Sequence, residues 1–541
     1  MLIDALRKGA KRAVMGLDAA LPVVALLAVS AFAQVNVTTY HYDNARVGQN
    51  THETALTTAL VSMNTFGKLF SQPVDGQIYG EPLVVYNLSI GGKPHTAVFV
   101  ATENDSVYAF DGNSNTGSNA VPLWQVSFIN PAMGITTVPS SDLGTIAISP
   151  QVGITGTPVI DPNNDTLYVV AATKENGVYF QRLHALDVTT GAEKFGGPVV
   201  ISAKVKGTGS GSVGGYISFD PFRSNQRPGL LLLNGVVYIS WASHGLEAKY
   251  TYHGWVIGYN ETTLAQAGAF CITANGDQGG IWQAGNGLAA DSLGNIFAIT
   301  GNGTFDANTS GPDYGMSYVK LASSSMSVTD YFTPYNEANE SAGDKDLGSG
   351  GILLIPYQNN TTNHYLGVGA GKDGNIYLVN RNNMGKFNSK SNSQIVQEIA
   401  RAFSGHSVYS SPAYWEENLY YWATQDYLRI FQFSNGLIGT TPIATSTYTL
   451  ASPGATPVIS SNGSSNGIVW ALDTSGSNST PATAAVLHAL DAQTAAELYN
   501  STQAGSRDTA GNAVRFTLPT VANGKVYVGT ATEVDVYGLL P

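Results

Sequence analysis

From Glu81 onward the chain repeats one arrangement of apolar and polar positions eight times. Each round opens on a short apolar run, often after Thr-Pro or Ser-Pro: EPLVV at Glu81, GTPVI at Gly156, RPGLLLL at Arg227, GNGLAAD at Gly285, SGGILLI at Ser349, SSPAYW at Ser410, GATPVIS at Gly454 and LPTVANG at Leu518. A turn rich in Asn, Asp and Gly follows, then a run alternating apolar and aromatic residues, such as TLYVVAAT, VVYISWAS, NIFAITG and KVYVGTAT. A third run closes the round, as in SVYAFD, RLHALD, WVIGYN and VLHALD. Alternation at period two between turn residues predicts β-strands. Self-similarity at roughly 45 to 75 residues, with material for four strands each time, predicts propeller blades.

The two ends support a closed ring. The last round stops at Pro541 after its third strand, and FGKLFSQPVDG (66–76), ahead of the first round, reads as a spare outer strand. Pairing the two removes the open sheet edges that invite aggregation. The expectation is therefore an all-β chain whose residues 66–541 form a single eight-bladed β-propeller of four-stranded antiparallel blades, closed by an N-terminal strand. Residues 34–65 show no clear periodicity and read as an extended lead-in.

Composition agrees with many short strands and tight turns: charged residues are only 12% of the 541, about half the usual share, while Gly reaches 60. A hydrophobic share of 43% argues against disorder. The net charge of −12, with no basic stripe to meet phosphates, argues against nucleic acid as a partner. Arg7, Lys8, Lys11 and Arg12 precede an apolar run at 21–33 that ends in Ala31-Phe32-Ala33. That is the pattern of a signal peptide (1–33) cut near Ala33–Gln34, and it predicts export to the periplasm or the extracellular space. The run is shorter than the ~20 residues of a membrane span, and no later segment is longer, so no span is expected. The one cysteine, Cys271, has no intramolecular partner and reads as a small buried apolar residue.

The segments HALDVTTGAEKF (184–195) and HALDAQTAAELY (488–499) resemble the A-x-D-x-x-T-G-x-x-x-W repeat of quinoprotein alcohol dehydrogenase propellers. Phe195 and Tyr499 stand where that repeat has Trp, and Trp124 is the nearest match to the family residue. The opening YHYDNARVGQN and the ending NGKVYVGT…VDVYGLL are similar to secreted bacterial pyrroloquinoline-quinone-like repeat proteins. The resemblance spans the chain after residue 33 and implies a propeller with a ligand funnel and, in its catalytic members, pyrroloquinoline quinone with calcium. Catalytic members with an adjacent-cysteine disulfide over the quinone are not matched, since Cys271 stands alone. No single motif here matches the Glu, Asn and Asp ligands of the family's calcium site.

Other motifs read as turns. G-x-G-x-x-G occurs at Gly209 and at Gly369, but neither sits between a strand and a helix as a dinucleotide site requires. DGNSNTG (111–117) and DPNNDT (161–166) alternate oxygen ligands yet carry no Glu at the twelfth position of a calcium loop. No metal site is expected from them. No G-x-S-x-G, Walker A or H-E-x-x-H sequence is present.

Propeller geometry then selects candidates. The starts of the innermost strands and the loops between second and third strands converge on one face around the central channel, where ligand sites form. The strand starts contribute Glu81, Thr157, Arg227, Trp282, Gln283, Ser349, Ser410 and Thr517. The loops contribute Asp105, Lys174, Glu175, the stretch His244 to His253 with Tyr250, Lys372, Asp373, Gln425, Asp426 and Glu533. Within this set Glu81, Arg227, His244, His253, Trp282, Gln283, Lys372 and Asp373 form the expected ligand-binding funnel, and His244, His253 and Tyr250 are the candidates for proton transfer. Three readings stay open: a secreted binding or scaffold propeller for a small molecule or glycan, an oxidoreductase using pyrroloquinoline quinone and calcium on sugars or alcohols, and a polysaccharide lyase or glycosidase using funnel His and Tyr. The sequence names neither substrate nor oligomeric state.

Overall fold

The second strand of each blade carries apolar residues on both faces because both faces are covered. In Asn418–Trp422, Leu419 and Tyr421 pack against Leu353 and Val368 of the preceding blade, while Tyr420 and Trp422 pack against Ile459 and Val469 of the following one. Lys525–Gly529 does the same: Val526 and Val528 face Trp470 and Leu487, and Tyr527 faces Val84 and Val98. A computed structural model describes residues 34–144, 147–245, 251–359 and 361–541. Among the described residues, eight apolar clusters join each blade to the next all the way round. The core is thus a ring of interfaces, and strand patterning at period two serves two neighbours at once. The predicted signal peptide and Tyr250 lie outside the described residues.

The architecture is an eight-bladed, all-β propeller. The innermost strands are Leu83–Ile90, Val159–Asp161, Leu231–Leu233, Ala289–Ala290, Leu353–Ile355, Ala413–Trp415, Val458–Asn462 and Thr520–Ala522. The outer strand of the eighth blade is Phe66–Pro73, which runs antiparallel to Glu533–Leu539 with Phe66 opposite Leu539 and Pro73 opposite Glu533. The spare N-terminal strand therefore closes the ring, as the count of strands in the sequence led one to expect. The Gly/Ser-rich stretch 202–229 contains a hairpin of Lys204–Lys206 with Tyr216–Ser218. Its apolar Val205 and Ile217 join the core between blades two and three, which anchors it. No helix among the described residues is long and apolar enough to cross a membrane.

Residues 34–53 fill the middle of the ring. Val37 exchanges backbone hydrogen bonds with Val84 of blade one, and the Thr38 carbonyl accepts from Ile160 of blade two. Asn44 Nδ2 donates to the Leu232 carbonyl of blade three, and the carbonyls of Asn44, Ala45, Val47 and Gly48 accept from Ala290, Leu354, Tyr414 and Ile459 of blades four to seven. Asn50 Nδ2 donates to the Val521 carbonyl of blade eight. The segment thus visits all eight inner strands in order and satisfies backbone groups that would otherwise line an open channel. At its hub is Arg46, fully buried, whose guanidinium donates to the carbonyls of Leu288, Leu230, Tyr40 and Asp43 and to Thr39 Oγ1.

Candidate functional site

Inner strands start, and second strands end, on one face of the ring, so short polar connections gather there around a funnel. Its cavity of about 330 Å³ falls at the lower end of the ~300–1,000 Å³ typical of small-molecule sites. The wall formed by blades two, three and eight carries Asn225, Arg227, His244, Arg515 and Phe516; the facing wall, from blades four and five, carries Asn302, Asp344, Asp346 and Lys372. Trp282, Tyr252 and Tyr409 supply ring surface between them.

The two walls differ in charge. Arg227 is buried, with its guanidinium 4.4 Å from the Phe516 ring centre and 5.8 Å from that of Tyr79. Burial lowers its pKa, with Tyr79 and Glu103 opposing the shift. Arg515 lies 5.9 Å from the same Phe516 ring and donates to the side chain of Asn478. Among the described residues, neither arginine forms an ion pair. Phe516 itself sits at φ +69°, a conformation that bulky L residues adopt only when their surroundings impose it. Beneath Arg227 a much smaller void is lined by Tyr40 of the axial segment, Tyr79, Thr155 and Phe516.

On the facing wall, Lys372 Nζ reaches Asp346 Oδ2 at 2.6 Å and Asp344 Oδ1 at 3.0 Å. Burial works against the ammonium, but the two carboxylates outweigh it and hold its pKa above the usual lysine value. Asn302 binds the same carboxylates, through its backbone N–H to Asp346 and its Nδ2 to Asp344. His244 hydrogen-bonds the backbone of Ser224, and burial drives its pKa down to about 4, which keeps the imidazole neutral at physiological pH.

Of the residues expected at the funnel, Arg227, His244, Trp282 and Lys372 line it together. The others lie in the blades, each for a polar reason. Glu81 is buried beside the axial segment, accepting from the His41 N–H at 2.7 Å and from Thr520 Oγ1, and burial raises its pKa to about 8. Gln283 is fully buried and bridges the carbonyls of Asn286 and Gly287 to the N–H of Ile299. His253 lies between Thr273 Oγ1 and the Ser210 carbonyl, locking the hairpin segment to blade three. Asp373 accepts from Tyr377 Oη at 2.6 Å, and burial raises its pKa to about 6. Strand-start position alone does not tell a residue that faces the funnel from one that satisfies the turn behind it. Strand starts and second-to-third loops do not include Arg515, Phe516, Asn225 or the aspartate pair, while Asn302, in the second-to-third loop of blade four between Asn295–Ile299 and Tyr318–Ala322, carries no charge to mark it. Arg515 and Phe516 come just before Thr517, so the connections that lead into inner strands were the signal.

Arg227, Arg515 and Phe516 offer cationic and aromatic surface of the kind that a flat anionic ring, such as that of a quinone carboxylate, requires. The residues present offer no ready calcium site beside it: the funnel aspartates are already engaged by Lys372, and no group of three His, Cys, Asp or Glu side chains placed to hold a metal ion occurs among the described residues. Cys271, buried in the core between blades two and three, is remote from the funnel lining.

The fold is that of the quinoprotein alcohol dehydrogenase propellers. The quinohemoprotein alcohol dehydrogenase of Comamonas testosteroni superposes with a TM-score of 0.59 at 13% identity, over 93% of this chain and 80% of that one. A europium-containing methanol dehydrogenase gives 0.59 at 12% identity, over 93% of this chain and 98% of the other. A quinohemoprotein alcohol dehydrogenase from Pseudomonas putida HK5 gives 0.54 at 12% identity, over 93% and 80%. No family model and no curated protein matches the sequence.

Proposed function

We propose that this chain is an exported binding propeller whose funnel holds a small carboxylate-bearing molecule. The observation that carries this reading is Arg227, a buried guanidinium on the funnel wall that stacks on Phe516 and has no carboxylate partner among the described residues. A buried cation with no carboxylate in contact, Glu103 acting on it only at a distance, is costly unless something supplies one, and a planar guanidinium matches a carboxylate with two parallel hydrogen bonds. Arg515 adds a second positive group to the same wall.

Catalysis is less well supported. Among the described residues, a lyase or glycosidase reading would rest on His244 with the funnel tyrosines Tyr252 and Tyr409, because His253 is committed to the hairpin. A quinone-dependent reading draws on the fold, but among the described residues the funnel carboxylates Asp344 and Asp346 are both engaged by Lys372 rather than left for calcium.

Isothermal titration with benzene-1,3,5-tricarboxylate, pyrroloquinoline quinone and uronic acids tests the proposal. Binding of at least one, weakened at least tenfold in Arg227→Gln, is the expected result. Binding of none, or binding indifferent to Arg227, would overturn it. Dye reduction that depends on quinone and calcium together would move the chain to the oxidoreductases.

A further inference from the structure

Among the described residues, the funnel holds three buried polar atoms without partners: Asn225 Oδ1, Asn302 Oδ1 and Trp282 Nε1. Asn225 is 5% exposed. The orientation of the Asn302 amide is fixed, because its nitrogen donates to Asp344, a group that can only accept, so its free atom is an acceptor. Native structures rarely leave such atoms unpaired, which makes them a mark of what binds there.

From these atoms we infer that the ligand is a sugar acid, its carboxylate against Arg227 and Arg515 and its hydroxyls donating to Asn225 and Asn302. This deepens the carboxylate reading above and rests on it. Unpaired carbonyl acceptors require donors, and a simple aromatic polycarboxylate has none at neutral pH. An ammonium group would supply donors, but the carboxylates that would pair with it are already engaged by Lys372, and Arg227 and Arg515 face it from the other wall. Hydroxyls donate without charge. Neutral His244 offers a further uncharged partner for a hydroxyl. Trp282, Phe516 and Tyr409 present ring faces, the last two with centres 6.3 Å apart, against which the C–H face of a pyranose packs. A guanidinium pairs with a phosphate in the same bidentate way, so glucose 6-phosphate is set beside the uronates in the test to separate the two anions.

The test uses titration calorimetry on the full mature chain with the dimers of galacturonate, mannuronate and guluronate, the methyl ester of each, galactobiose, glucose 6-phosphate and benzene-1,3,5-tricarboxylate. The variants are Asn302→Ala and Arg515→Gln, both at half-exposed positions where folding is least at risk, each checked by its melting temperature. At least one uronate dimer should bind. Its methyl ester and the tricarboxylate should bind roughly tenfold or more weakly, and each variant should lose about tenfold. Tricarboxylate binding as tight as every uronate, with Asn302→Ala unaffected, would overturn the sugar-acid assignment and leave the carboxylate reading standing. Tighter binding of glucose 6-phosphate would replace the carboxylate with a phosphate. Equal binding of galactobiose, or no binding at all, would overturn both readings.

Discussion

The indole of Trp124, on the outer strand of blade one, lies across Gly191 of blade two. A Cβ on Gly191 would stand 2.7 Å from the ring, and Trp124 Nε1 donates to the Val188 carbonyl at 2.8 Å. The turn that holds Gly191 is built by Asp187, whose Oδ1 accepts from the Thr189 N–H and from the hydroxyls of Thr189 and Thr190. The repeat segment at 184–195 is thus a mechanical joint. Its aspartate shapes the turn, its glycine lets the turn approach, and the neighbouring blade's tryptophan locks on top.

Gly191→Ala should therefore destabilise the protein by about 2 kcal/mol. It combines a left-handed backbone, at φ +72°, with a clash against a buried ring. Trp124→Phe should cost about 1 kcal/mol for the lost indole hydrogen bond. The smaller ring also relieves the clash, so the double variant should cost less than the sum. Urea midpoints across the four proteins check this.

The blade pattern was legible because every strand reports its two neighbours through period-two alternation, and Phe66 and Leu539 meet as the count of strands required. Residues 34–53 were opaque for the opposite reason. They touch eight different strands about once each, so no face repeats and no period emerges. The funnel was half legible. Arg227 and Lys372 announce themselves as charges at strand starts and loops, whereas Glu81 and Gln283, in equivalent positions, turn inward to satisfy backbone groups that the sequence does not display.

Arg46 should be among the least replaceable residues in the chain. Its fork ends on the carbonyls of four residues and one hydroxyl, and lysine offers three donors in a different geometry. Arg46→Lys should cost at least about 3 kcal/mol, since several buried carbonyls lose their partners. Limited proteolysis should then cut within 34–53 well before the blades, because the axial segment is held by one or two hydrogen bonds to each of many strands, with only Gln49–Asn50 paired into a sheet.

Stability should fall as the pH rises from about 6.5 towards 8, whereas below 6.5 the buried His41 and His244 oppose the carboxyls. Burial raises the Glu81 pKa from 4.5 to about 8 and that of Glu103 to about 7, so the folded chain holds protons that the unfolded chain has already released in this window. The stabilisation is present below the unfolded value and is lost as the pH climbs through the folded one. His41 acts on the acid side. Burial lowers its pKa from 6.5 to about 4, so its own contribution to stability falls as the pH drops through that interval. Glu81→Gln should flatten the alkaline limb and steepen the acid one, which urea midpoints measured from pH 4 to 9 will reveal.

Calcium dependence should be absent in the wild type and should appear when Lys372 is removed. Lys372 Nζ is the counter-charge for both Asp344 and Asp346, and Asp346 is nearly buried while Asp344 is exposed. With the ammonium in place the carboxylates have no free pair of oxygens facing one space, so chelation should shift the melting temperature by no more than about 1 °C. Lys372→Met leaves two adjacent carboxylates without a cation, one of them buried, at a cost of about 3 kcal/mol. A hard divalent ion prefers such oxygen pairs, so millimolar calcium should restore part of the lost melting temperature in this variant. Magnesium, which keeps its waters and demands octahedral geometry, should restore less. A wild type that loses stability on chelation would show instead that a resident ion already shares the funnel with Lys372.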